Sequence, residues 1–286
     1  MAKVVITADS TCDLSPELVL KNEIKIVPLY INLGEKSLAD NGVEIVPDDI
    51  YAFVEKTGNL PTTSANPVGN YEEFFKGLVD EGYDVVHLNI SAGFSCTHQN
   101  ASLAAEEFDN VYVVDSRNLS TGSGLLVLEA AEMAKEGLSA ADIAQKLKEL
   151  APKADASFVI DDLTYLHKGG RCSAVAKFGA NLLKLKPSIQ VKNGAMGVSK
   201  KYRGDYKVCV EQYIKDKLAD VDSINPKRVF VTHTKCDDEI VKLAIDTVNS
   251  LFKFDEVIET TAGCTVTTHC GPDTLGVLFF RKENLE

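Results

Sequence analysis

Asp84-Val85-Val86-His87-Leu88-Asn89-Ile90, running on through Ser91-Ala92-Gly93-Phe94 to Ser95-Cys96-Thr97-His98-Gln99, decides the fold class. An apolar run of strand length passes through a glycine-bearing turn into a helical pattern that begins near Ser95 and reaches Phe108. Strand, turn, helix in that order is the unit of a parallel sheet covered by helices. The unit recurs on both sides. Val4 to Ala8, Lys25 to Leu33 and Asn110 to Asp115 read as further strands. Helix punctuation separates them: Ser15-Pro16 as an N-cap with proline at the first helical position, Pro47-Asp48-Asp49 closing at Gly58, Tyr71 to Glu81 stopped by Gly82, and Leu119 to Glu136 stopped by Gly137. Ser139 with Asp142 predicts one more helix, to Leu150.

Beyond Ala151-Pro152-Lys153 the pattern changes. Ser157 to Ile160 is strand-like and Arg171 to Lys184 helical, while Ser188 to Val191 and Ala195 to Ser199 flank an Asn193-Gly194 hairpin signal, so antiparallel pairing enters. Val208 to Leu218 and Glu239 to Phe252 read as helices around a strand at Arg228 to His233, and Glu256 to Thr260 with Thr274 to Phe280 as closing strands. The expected fold is α/β: a doubly wound parallel-sheet domain over 1–153 and a mixed-sheet domain over 154–286.

The 286 residues carry a formal net charge of −12. This argues against nonspecific affinity for nucleic acid or anionic membranes, which favour basic surfaces. No apolar run approaches the roughly 20 residues that span a bilayer, and Met1-Ala2-Lys3 leads straight into a strand, so a cytoplasmic protein without stable membrane insertion is expected. The seven cysteines show no CxxC spacing, which suits free thiols. A metal site built from Cys264, His269 and Cys270 is disfavoured, because adjacent side chains on a strand point to opposite faces.

Three constellations carry chemistry: Leu60-Pro61-Thr62-Thr63-Ser64, the Ser91 to Gln99 stretch, and Thr268-His269-Cys270-Gly271-Pro272. Each offers hydroxyls, glycine or imidazole and none contains an acid, a set suited to holding a small anion. Ser95 opens a helix, where a hydroxyl caps and where outward N–H groups attract negative charge. Lys168-Gly169-Gly170-Arg171 lacks the GxxxxGK[ST] spacing of a phosphate loop, and Gly122-Ser123-Gly124 is not GxGxxG. The rival is a serine ester or thioester hydrolase using Ser95, His269 and Asp9 or Asp115. Against it, Gly93-Phe94-Ser95-Cys96-Thr97 has threonine where the nucleophile elbow needs its last glycine. His269 beside Gly271-Pro272 also reads as a turn histidine.

Taken together, these stretches, with Thr7 to Thr11, Val114-Asp115-Ser116 and Asp161-Asp162-Leu163 through Arg171, resemble the DegV family of bacterial fatty-acid-binding proteins over essentially the whole chain. The resemblance implies two α/β domains with a fatty acid between them and no cofactor or catalytic residue of the protein's own. It implies a carboxylate held by Thr62, with Thr63 as the alternative, and by Ser95, with His269 and Arg171 near the head group. It further implies an ATP-binding fatty acid kinase subunit as a partner, faced by Arg203, to which the carboxylate is presented for acyl phosphate formation in phospholipid synthesis. Burying about 14 methylenes at roughly 0.8 kcal/mol each gives an upper estimate near 11 kcal/mol, so the tail would set affinity and the head group position. Cys96 stands where the family commonly has glycine, His98 where it has tyrosine, and Cys270 with Asp273 where it has threonine and glycine. A narrowed approach at Cys96 and a negative charge from Asp273 near the head-group site are therefore expected.

Overall fold

The computed structural model describes residues 3–172 and 185–285. The first sheet is wholly parallel, in the order β2 (Lys25–Val27), β1 (Lys3–Asp9), β6 (Tyr83–Asn89), β7 (Val111–Asp115). Central strands β1 and β6 end in runs of buried residues, as a sheet covered on both faces requires. Helices α1 (Pro16–Lys21), α3 (Val68–Asp80), α4 (Thr97–Ala105), α5 (Ser120–Lys135) and α6 (Ala140–Leu150) accompany it. Ser15 caps α1 with Pro16 at the first position, and Ser139 caps α6 through the Asp142 N–H.

The expected strand from Lys25 to Leu33 is two strands. Pro28 has no N–H for a ladder, and past it the chain leaves the parallel sheet to form β3 (Tyr30–Leu33). This strand is the centre of a small antiparallel sheet, β4 (Lys36–Ala39), β3, β5 (Thr62–Ser64). Helix α2 (Pro47–Thr57) connects β4 to β5 and ends at Gly58 in the left-handed region.

The second large sheet is mixed, in the order β10 (Ala195–Tyr202), β9 (Lys186–Lys192), β8 (Ala154–Ile160), β13 (Thr274–Arg281), β11 (Ile224–His233), β12 (Glu256–Thr261), with β11 and β12 the parallel pair. Asn193 and Gly194 both take positive φ between β9 and β10, the turn their sequence predicted. Helices α8 (Tyr206–Lys217) and α9 (Asp238–Leu251) match their expected positions. Two short helices do not. Thr164–Gly169 forms α7, and Cys264–Cys270 forms α10, so His269 is a helical residue rather than a turn histidine. The expected helix from Arg171 to Lys184 falls mostly outside the described residues; Arg171 and Cys172 lie in irregular chain.

Helix α5 joins the halves. Its residues from Ser120 to Leu128 are all buried, and Leu125 to Leu128 share one core with Ala8 and Leu88 of the parallel sheet and with Ala156, Phe230 and Leu278 of the mixed sheet. A helix packed on all sides needs no polar face, which is why its apolar residues are not confined to one stripe. Arg228 of β11 reaches Glu132 of α5 at 2.9 Å, tying the halves a second time, and Glu256 of the neighbouring β12 at 2.5 Å.

Candidate functional site

The loop that leaves the carboxyl end of β6 is where open α/β sheets place ligands. Here it meets the second half of the chain. The Ser91 hydroxyl donates to the Gly194 carbonyl at 2.9 Å, and the Gly93 N–H donates back to that hydroxyl at 3.1 Å. Gly93 permits this contact, since a Cβ there would fall inside contact distance of the Gly194 oxygen. Arg117 adds a bond from Nη2 to Asn193 Oδ1 at 3.2 Å. The β9–β10 hairpin tip is thereby docked on the loop carrying Ser95.

Behind this contact lies a cavity of about 430 Å³, within the range of roughly 300–1,000 Å³ typical of small-molecule sites. Leu29, Ile90, Phe94, Leu119, Leu166, Met196 and Val266 give it an aliphatic and aromatic wall; Thr63, Ser64, Ser95, Arg171 and His269 give it a polar one. A smaller void of about 30 Å³ shares Leu119, Val266 and Cys270 with it.

The polar wall comes from four segments. Thr63 and Ser64 of β5 both border the cavity, and alternation sends the Thr62 side chain to the face opposite that of Thr63. Thr62 is exposed, receives the Asn32 amide at 3.3 Å and does not line the cavity; the structure therefore puts Thr63 there rather than Thr62. Thr63 Oγ1 lies 2.9 Å from His269 Nε2. Ser95 Oγ accepts the Thr97 N–H at 3.2 Å, which stiffens the entry to α4 and leaves the Ser95 O–H free to donate. Arg171 is exposed at the rim, with Nη1 donating to the Gly169 carbonyl at 2.8 Å.

His269 is held without charge. Burial, with a smaller push from Arg171, lowers its pKa to about 4. Its Nδ1 is buried and makes no hydrogen bond among the described residues, and a Cβ at Gly169 would stand 2.6 Å from it. An unpaired buried N–H is tolerated less well than an unpaired acceptor, which favours the proton on Nε2. In that tautomer His269 donates to Thr63, and the Thr63 O–H is free to donate into the cavity. The wall then presents two hydroxyl donors and a nearby guanidinium, an arrangement for receiving an oxyanion.

The same geometry bears on the hydrolase. No hydrogen bond joins His269 to Ser95 among the described residues. Asp9 is buried and occupied by the Ile90 N–H at 2.8 Å and the Thr11 side chain and N–H. Asp115 accepts from Arg117 N at 2.7 Å. Among the described residues no carboxylate orients His269 Nδ1, and an imidazole with its pKa near 4 is a weak base at neutral pH.

Other expected positions are resolved as follows. Cys96 is exposed and lines the cavity, as does buried Cys270. Asp273 does not line it: it takes a positive φ at the start of β13, where its N–H donates to the Lys235 carbonyl at 2.9 Å, so the charge expected beside the head group lies elsewhere. Arg203 is exposed in the turn after β10. Cys264 and His269–Cys270 sit at opposite ends of α10, about 7 to 9 Å apart along its axis at ~1.5 Å per residue. Among the described residues no group of three potential ligands could hold a metal. No described helix is long and apolar enough to cross a membrane. The apolar lining residues had no signature in the sequence, because a cavity wall and a core have the same composition.

Comparison with known proteins gives a consistent result. The family model described as "Uncharacterised protein, DegV family" matches residues 3–282. The chain is 32% identical over 281 residues to the fatty acid-binding protein of Thermotoga maritima, covering 96% of each sequence. Its structure is similar to that of a fatty-acid-binding DegV family protein from Thermus thermophilus, with a TM-score of 0.89 at 30% identity over 98% of this chain and 100% of that one. It is similar also to a stearic acid-binding protein from Eubacterium ventriosum, with a TM-score of 0.83 at 31% identity over 99% of each chain.

Proposed function

The chain belongs to the DegV family, and from that premise we propose that it binds one long-chain fatty acid between its two large sheets, with no reaction of its own. The observation that carries this reading is the two-sided cavity: a polar wall of Thr63, Ser64, Ser95, His269 and Arg171 facing an interior of Leu29, Ile90, Phe94, Leu119, Leu166, Met196 and Val266. An amphiphile with a small anionic head and an apolar tail matches both walls at once. The Ser95 and Thr63 hydroxyls donate to the carboxylate, Thr62 supports the strand from its outer face, and Arg171 supplies positive charge at the rim. His269 fixes Thr63 and stays neutral.

The carboxylate end lies beside the docked hairpin tip and the exposed Cys96, where a second protein has access. This supports presentation of the carboxylate to an ATP-binding kinase subunit, with Arg203 on the partner-facing side. The parallel sheet, built from strands up to Asp115, and the mixed sheet, built from strands beginning at Ala154, support a division of the chain into residues 1–153 and 154–286. A cytoplasmic location fits a carrier that delivers fatty acids for phospholipid synthesis.

Denaturing extraction of the purified protein, followed by mass spectrometry of the organic phase, tests the reading. About one fatty acid per chain is expected. An empty extract, repeated after incubation with palmitate and oleate, would sink it.

A further inference from the structure

Helix α10 has no cap of its own. Its N-cap residue is Gly263, which lacks a side chain, and at seven residues the helix is too short to hold its shape in isolation. The acceptors come from the other half of the chain. Asp40, just past β4, accepts the backbone N–H of Cys264 at 3.0 Å, that of Thr265 at 2.9 Å and the Thr265 hydroxyl at 2.6 Å. The Ser10 hydroxyl donates to the same carboxylate at 3.3 Å. Asp13 accepts the Gly263 N–H at 2.9 Å and the Ser120 hydroxyl at 2.5 Å. Both carboxylates are buried. Charge-assisted bonds from Asp40 to the positive end of the helix are the strong kind of cap, while Asp13, lifted to about 8 by burial, accepts the Gly263 N–H as a neutral acid at pH 7.

The other end of α10 is tied to the same small sheet. Asp40 follows β4, and β5 of that sheet carries Thr63, the partner of His269. The helix is gripped at both ends by β4, β3 and β5, while Thr265, Val266, His269 and Cys270 wall the cavity. Neither aspartate lines it.

We propose that Asp40 and Asp13 are positioning residues for the cavity: by capping α10 from the other half of the chain they fix His269 opposite Thr63 and Ser95, and so set ligand affinity without touching the ligand. A ligand whose head group lies between these side chains favours the same juxtaposition. Ligand and cap therefore stabilise one another reciprocally. This rests on the fatty-acid reading for its affinity readout alone.

The test compares full-length wild type with Asp40→Asn and Asp13→Ala, using palmitate as the probe. Three quantities are measured: calorimetric affinity, the ¹⁵N resonances of the His269 ring, and hydrogen exchange at the Cys264 and Thr265 amides in ligand-free protein. Asparagine at position 40 loses the charge and turns an N–H₂ toward groups that are themselves donors. The expected result is faster exchange at both amides, a shifted Nε2 resonance and palmitate affinity lower by roughly tenfold, the factor that about 1.4 kcal/mol produces. The proposal is overturned if Asp40→Asn exchanges faster at those amides yet keeps the wild-type Nε2 resonance and affinity. Where Asp40→Asn fails to fold, Asp13→Ala, which removes the acceptor of the Gly263 N–H, carries the same comparison at that amide. A wild type that takes up no palmitate refutes the fatty-acid reading instead, and the resonance and exchange data then decide the cap alone.

Discussion

His269 Nε2 lies 2.9 Å from Thr63 Oγ1, although 206 residues separate them in sequence. The bond joins a helix beside the mixed sheet to an edge strand of the small antiparallel sheet, and it divides the hydroxyls of the Pro-Thr-Thr-Ser loop into one that faces the cavity and one that does not.

Thr63→Val should therefore weaken fatty acid binding and Thr62→Val should leave it nearly unchanged. Loss of a hydrogen bond to a charged group costs roughly 1.5–3 kcal/mol, about a 10- to 100-fold change in affinity. Titration calorimetry of both variants with palmitate makes the comparison. The reverse ranking would move the head group to the outer face of β5.

Stability should respond to pH at two buried groups with opposite signs. Burial and Arg171 hold His269 at about 4, while an unfolded histidine titrates near ~6.5. Between these values the unfolded chain takes up a proton that the folded state refuses, so this contribution is complete above pH ~6.5 and is lost as pH falls towards 4. Burial, reinforced by nearby Asp40 and Asp9, lifts Asp13 to about 8. Its contribution is complete below the unfolded value near ~3.9 and is lost as pH rises to about 8. Urea midpoints across pH 4 to 9 should show His269→Gln flattening the acid limb and Asp13→Asn reducing the slope between pH 6.5 and 8. Parallel curves for variant and wild type would contradict these assignments.

Gly93→Ala should separate the β9–β10 tip from the Ser95 loop, because the new methyl would stand 2.3 Å from the Gly194 carbonyl oxygen. Overpacking of this kind costs about 1–3 kcal/mol. A lowered urea midpoint, with faster ligand dissociation through the loosened seam, is the expected pair of changes. Unchanged dissociation would show that this contact does not limit exit.

Much of this architecture is readable without coordinates. Ser15-Pro16, Gly58 and Asn193-Gly194 mark a helix start, a helix end and a hairpin turn that the structure places at those residues, because each acts through its own backbone conformation. The errors have different sources. The break at Pro28 follows from its missing N–H, whereas helix α10 in place of a turn depends on acceptors distant in sequence. Of the positions singled out in the sequence, Thr63, Ser95, Arg171 and His269 line one cavity; Thr62 and Asp273 do not, since the face of a strand and the direction of a turn are fixed by what they pack against.

Removing bound lipid should lower the midpoint of thermal unfolding, and adding palmitate back should restore it. A ligand at 100 times its dissociation constant stabilises the folded state by about 2.7 kcal/mol. Differential scanning calorimetry of extracted and reloaded protein tests this. Coincident transitions would mean that the cavity is not occupied by palmitate.

By itself the sequence determined the α/β class, the parallel sheet followed by a mixed one, and the hydroxyl, imidazole and guanidinium groups that line the cavity, because propensity, capping and alternation are written in neighbouring residues. Tertiary structure alone decided that Thr63 faces inward, that His269 is a neutral helical residue bonded to it, and that α10 takes its cap from Asp40 and Asp13. Each is a contact between segments far apart in the chain, and burial, which sets both side-chain direction and protonation, exists only once those segments have packed.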